Sequence, residues 1–195
     1  MLRLTAFAAV VLMTWPVIAS ATTATSPKGT TYSNASLMAA TEGHAILHDT
    51  SGLGITIECN SVVEGAFENP GEGPAKASIS SLTWSNCTNN WSVTTLTKGS
   101  LEFHNIAGTE NGTVTSTGTE ITATQSGSGL HCIYKTSNTD IGTLTSSTKT
   151  GGNATLDISA TIPRTGGSSG FFCGTAGTWT GSYKVSTPST LYVDS

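Results

Sequence analysis

Apolar and polar residues alternate along many short stretches of this chain, and past residue 21 no stretch keeps a helical period for ten residues. Ile55, Ile57 and Cys59 alternate with Thr56 and Glu58, the period-two signature of a strand with one buried face. Leu130, Cys132 and Tyr134 share a face in the same way, as do Leu156, Ile158 and Ala160, and then Trp179, Gly181 and Tyr183. Further β-prone runs cover residues 43–48, 61–67, 77–84, 91–97 and 100–106. Turn signals stand between them, clearest in the Pro- and Gly-rich loop 68–74. Lys98-Gly99 predicts a hairpin between 91–97 and 100–106. Thr117-Gly118-Thr119 predicts another between 113–116 and 120–124, whose Thr-rich strands suit a solvated face or edge.

Short strands at this spacing, with no helix to cross between parallel strands, exclude the α/β classes. The expected fold is all-β: an antiparallel β-sandwich, Ig-like or jelly-roll-like, of about 10 to 13 short strands. The concentration of aromatics and two cysteines in 129–185 reads as one wall of that sandwich.

The ends alter the domain reading. Arg3, the apolar run 4–18 and Ala19-Ser20-Ala21 have the three parts of a secretory signal peptide, so residues 1–21 are expected to be removed. The run is short of the ~20 residues of a spanning helix, and no later stretch is apolar enough to span a bilayer. Residues 22–40 then read as an extended N-terminal arm and 41–195 as a single domain. Thr and Ser make up nearly a third of the chain, and charged residues only 10%. This favours pleated, uncharged surfaces over helices. The net charge of −4 comes with no basic cluster, which argues against a nucleic-acid partner.

Four cysteines in an exported chain point to two disulfides. Three connectivities are possible. Cys59–Cys87 with Cys132–Cys173 is preferred, because each pair sits in strand-like context within one half of the chain. No spacing is zinc-like.

Candidate chemistry is sparse. His44 and His48 would lie about 13 Å apart on a strand, too far to share a metal. His131 beside Cys132 suggests a nucleophile pair only if that cysteine is not oxidised. Gly127-Ser128-Gly129 lacks nucleophile-elbow spacing, and Glu58 with Glu64 or Asp140 with Asp157 read first as solvated strand-face acids. No catalytic residue, metal ligand or cofactor is expected. The aromatic residues offer the one binding signal: Trp91, Trp84 and Trp179 are the candidate ligand-binding side chains, for an apolar compound or a sugar. Core packing competes for each of them.

The steps Leu82-Thr83-Trp84-Ser85-Asn86-Cys87-Thr88, Gly170-Phe171-Phe172-Cys173, Trp179-Thr180-Gly181-Ser182-Tyr183-Lys184-Val185 and Leu191-Tyr192-Val193 resemble a group of small secreted bacterial β-rich proteins. Some of these are labelled activators of alkane oxidation. The resemblance implies a bacterial, exported, non-enzymatic protein and carries over no site residue. Together the readings predict a secreted cell-surface or extracellular structural or interaction protein. Self-association or a surface polymer is its expected partnership, with the arm available to add a strand to a neighbour. A binding module for an apolar compound or carbohydrate is the second expectation, and a hydrolase the third.

Overall fold

The computed structural model describes residues 21–27, 29–50, 54–68, 73–148, 152–169 and 172–195. All but one residue of the signal segment lies outside them.

Eight strand positions form a closed antiparallel barrel. In chain order they are β2 (Ser36–Thr41) continued by β3 (Ala45–Asp49), β4 (Thr56–Phe67), β5 (Ala75–Ser85), β7 (Ser100–Asn105), β8 (Gly112–Thr117), β11 (Thr139–Thr145), β12 (Thr155–Pro163) and β13 (Ala176–Thr187). Each pairs with the next, and β13 returns to pair with β2 and β3, which closes the ring. β2 and β3 share one position: both lie between β4 and β13, separated by Glu42-Gly43-His44.

The expected sandwich is therefore replaced by an eight-stranded barrel. Alternating patterns specify one buried face per strand and are the same for both architectures, so they could not distinguish them. Length and coiling decide for closure. β4 and β13 have 12 residues each and β5 has 11. Register shifts at Glu64/Gly65, Asp140/Gly142 and Val185/Thr187 mark bulges of the kind that bend strands around a barrel. Residues 54–59 and 61–67, which read as two strands, are mostly one: β4 runs through Asn60 without a break, burying Ile57, Cys59, Ser61 and Val63 on one side.

Two excursions leave the barrel. β6 (Trp91–Thr97) lies between β5 and β7 in sequence, and β9 (Glu120–Gln125) with β10 (His131–Lys135) lies between β8 and β11. They pair with one another as a three-stranded sheet in the order β10-β9-β6. Neither expected hairpin forms: β6 pairs with β9 rather than β7, and β8 pairs with β7 and β11 rather than β9. The two departure corners meet instead. A Cβ on Gly99 would lie 2.4 Å from the Thr117 carbonyl oxygen, so only glycine allows this approach. Buried hydroxyls knit the junction, with Ser116 Oγ 3.1 Å from Thr119 Oγ1 and 3.0 Å from Thr136 Oγ1. The Thr-rich β8 is thus an interior barrel strand, where hydroxyls replace apolar side chains at a corner rich in backbone polar groups.

The small sheet covers one end of the barrel, where Trp91, Ala123, Cys132 and Tyr134 pack against Leu47 and Ile57. Near the other end β1 (Thr23–Thr25) pairs with β14 (Tyr192–Asp194). There Tyr32 stacks on Phe67, and Phe67 meets Phe103, at 6.0 and 5.7 Å. Both preferred disulfides form: Cys59–Cys87 ties β4 to the turn before β6, and Cys132–Cys173 ties β10 to the segment before β13.

The apolar wall faces inward. On β12, Leu156, Ile158, Ala160 and Ile162 are buried while Asp157, Ser159 and Thr161 are exposed. A membrane-spanning barrel has the reverse arrangement, with its apolar band outside. Among the described residues no helix is long and apolar enough to cross a membrane.

Candidate functional site

Among the described residues, the barrel interior, its mouth under the small sheet and a cleft beside the β1–β14 pair are three places that could accommodate a ligand or a reaction. In the interior, Val63, Ile79, Leu101, Ile141, Leu156 and Trp179 are among the side chains around a cavity of about 20 Å³. One water needs ~10–15 Å³ and a typical ligand pocket has ~300 Å³ or more, so this space is water-sized. Trp179 is fixed there by two ring contacts, to Trp84 at 6.0 Å and edge-on to Tyr183 at 6.2 Å. Trp84 is half-buried and donates its indole N–H to Thr95 Oγ1 at 3.3 Å; Thr95 in turn donates to the Leu82 carbonyl at 2.7 Å.

Trp91 is buried at the mouth, beside a void of about 10 Å³. A Cβ on Gly177 would come within 3.0 Å of the Tyr134 ring, so the missing side chain makes room for that plug. Small and large residues alternate across a barrel interior for this reason. The structure thus brings Trp84 and Trp179 together and places Trp91 separately under the small sheet. Trp91 and Trp179 are buried in the core, and Trp84 is half-buried against it.

Burial sets the electrostatics of two tyrosines. The Tyr134 hydroxyl is pushed up to about 12 by burial and by the nearby Asp49 charge, partly offset by Arg164. Tyr183 is pushed up to about 12 by burial, against the opposing influence of Ser61 and Trp179. Both favour the neutral phenol in the folded state, whereas unfolded tyrosine titrates near ~10. Their contribution to stability is complete below pH ~10 and is lost as pH rises towards ~12. The urea midpoint is expected to hold up to pH ~10 and then fall steeply; a midpoint unchanged at pH ~12 would contradict this burial.

The polar candidates are mostly local ties. His48 Nδ1 lies 2.8 Å from Thr56 Oγ1, and buried Asp49 accepts the Gly174 N–H at 2.9 Å. His131 Nδ1 lies 3.0 Å from Ser169 Oγ, and its Nε2 lies 2.6 Å from the Gly167 carbonyl oxygen. Ser169 Oγ also accepts the His131 backbone N–H at 2.9 Å. No motif announced this Ser–His contact, because 38 residues separate the two. Its effect is to hold residues 164–169 along the outer edge of β10, where Thr165 N–H also donates to the Ile133 carbonyl at 2.9 Å. Among the described residues no group of three or more His, Cys, Asp or Glu could hold a metal ion.

The third place lies beside the β1–β14 pair. Ser26, Pro27, Gly29, Glu110, Tyr192 and Asp194 line a cleft of about 390 Å³. Asp194 accepts a hydrogen bond from Thr25 there, so β1 both pairs with β14 and positions its carboxylate. Sequence reasoning missed this cleft, since its residues come from three distant segments with no shared motif.

The chain matches no family model, no curated protein and no solved structure. Two disulfides point to an oxidising compartment, extracellular or periplasmic.

Proposed function

We propose that this is a secreted, non-enzymatic cell-surface or extracellular structural or interaction protein that associates with further copies of itself. The segment 1–21 supports export. The observation that carries self-association is the outer edge of β6. The eight strand positions form a closed ring, and among the described residues the edge of β10 is covered by residues 164–169. β6 has a ladder partner on one side only, β9. Its sequence, Trp-Ser-Val-Thr-Thr-Leu-Thr, is β-prone and lacks the charge or proline that normally blunts an edge, and Leu96 on it is 51% exposed. The arm differs: β1 is already paired within its own chain, so donation to a neighbour would first have to displace it.

Sedimentation of the mature protein across a wide concentration range tests this. Reversible dimers or longer assemblies are expected, and Leu96→Lys should shift them to monomer without changing the fold. A wild-type monomer at every concentration would contradict the proposal.

A second reading, a carbohydrate-binding module, is favoured by the cleft at the termini. Its volume falls in the ~300–1,000 Å³ range of ligand pockets, and two carboxylates, a serine and a tyrosine line it. Oligosaccharide titration followed by amide chemical shifts would support it by moving Asp194 and Tyr192. Shifts elsewhere, or none, would remove it.

A further inference from the structure

Residues 191–194 alternate between two faces, as strand geometry requires. Leu191 and Val193 belong to the apolar core, whereas Tyr192 and Asp194 line the cleft beside β1. Tyr192 is only 4% exposed, yet among the described residues its hydroxyl has no hydrogen-bond partner. Buried tyrosine hydroxyls normally find one. This phenol is held in place by its ring and keeps its polar tip for something outside the chain.

The acids around it are fixed in position. Asp194 Oδ2 accepts the hydroxyl of Thr25, which is itself buried, so the carboxylate is anchored from behind. Its other oxygen, Oδ1, has no hydrogen-bond partner among the described residues. Glu110 joins it from the turn between β7 and β8. The Glu110 backbone carbonyl accepts the Val193 N–H at 2.9 Å and the Ser146 hydroxyl, which ties that turn to β14. Another wall is the turn after β1. Ser26 N–H donates to the Thr30 carbonyl at 2.9 Å, and Gly29 N–H donates to the Ser26 carbonyl at 2.9 Å.

Charge narrows what such a cleft would take. Two carboxylates line it, and none of the described lining residues is basic. A neutral sugar lying over Asp194 would strip water from a carboxylate and return no opposite charge. An acidic sugar would add repulsion. An ammonium group offers donors only, the complement of carboxylate oxygens, while the Tyr192 hydroxyl can donate to or accept from a sugar hydroxyl. Hydrogen bonds between ionised partners are also roughly twice as strong as neutral ones. We propose that the cleft binds an amino sugar with a free ammonium group, its ammonium held by Asp194 and Glu110 and a neighbouring hydroxyl by Tyr192. This rests on the reading of the cleft as a carbohydrate site and names the class of sugar.

Amide chemical shifts of the mature protein test it, in titrations with a short glucosamine oligomer, its N-acetylated counterpart and a glucose oligomer of the same linkage and length. The pH is kept where the amine is protonated, and calcium alone is titrated in parallel. Shifts at Tyr192 and Asp194 are expected to saturate with the glucosamine oligomer at a Kd roughly tenfold below that of the other two. Added salt should weaken this binding. Asp194→Asn keeps an acceptor for Thr25 and should raise the Kd roughly tenfold. Tyr192→Phe should weaken binding severalfold while leaving Tm unchanged, because its hydroxyl has no partner in the chain. Equal affinity for the three oligomers would overturn the amino-sugar proposal and leave the carbohydrate site standing. No shift with any of them would remove both. Calcium reproducing the same shifts would mean that the carboxylates hold a metal instead, and a lowered Tm for Tyr192→Phe would make its hydroxyl part of the fold. Either result would overturn the proposal.

Discussion

Gly142→Ala is expected to destabilise the barrel by about 4 kcal/mol or more, among the larger effects a single methyl group can have. Gly142 sits at the bulge of β11 with φ +153°, a conformation that side-chain-bearing residues rarely adopt. A Cβ there would lie 1.9 Å from the Asp157 carbonyl oxygen and 2.9 Å from its carbon, both backbone atoms of the neighbouring β12. Neither atom can move without breaking the β11–β12 ladder, in which Gly142 opposes Ile158. On either side Ile141 and Leu144 are almost fully buried, so the strand cannot shift outward to relieve the clash. Gly166→Ala is the control, because a Cβ there meets nothing within 4 Å. It should change stability by less than about 0.5 kcal/mol. Urea unfolding of the two variants measures the contrast, and equal midpoints would show that the bulge is not where the structure places it.

The second large effect is removal of the Cys132–Cys173 disulfide by a double alanine substitution. Its sequence separation of 41 residues implies about 4 kcal/mol in the chain-entropy treatment. A fall in Tm on the order of 10 °C should follow. The loss should be uneven. Cys132 anchors β10, and β10 brings Tyr134 over the mouth of the barrel. Amides of β9 and β10 should exchange faster, and Trp91 emission should shift to the red as water reaches the mouth. β4 and β12 should keep their protection, since their ladders lie within the barrel. Uniform loss of protection across both sheets would contradict a separable plug. Eliminating the other disulfide, Cys59–Cys87, should leave Tyr134 in place, because that bridge ties β4 to the turn before β6.

The sequence made the composition of each strand legible and left their arrangement hidden. Ile57 and Cys59 alternate with polar residues and are buried as that pattern requires, and so are Leu130, Cys132 and Tyr134. Both disulfides were readable because each cysteine lay in or beside a β-prone run. Closure was not readable. It depends on pairing β13 with both β12 and β2, contacts between segments more than a hundred residues apart in the second case, and no local period encodes them. The two false hairpins have a related cause. Lys98-Gly99 and Thr117-Gly118-Thr119 do turn the chain, but each turn passes it from one sheet to the other. β8 was misplaced because burial of Ser116 rests on partners from Thr119 and Thr136 that only the fold supplies. For the site, the tryptophans were legible as large apolar anchors, and their role in packing follows from the interior positions that closure creates.

Closure of the sheet is the claim on which the inward-facing apolar wall and the polar outer face both rest. Cross-strand NOEs in an isotope-labelled sample test it most directly. An unbroken ring is expected, with contacts across Phe103–Val114, Gly142–Ile158, Ala160–Trp179 and Ala39–Val185 in the same molecule. Absence of the Ala39–Val185 or Ala160–Trp179 contacts, leaving a free edge on β13, would mean an open sheet and would contradict the barrel.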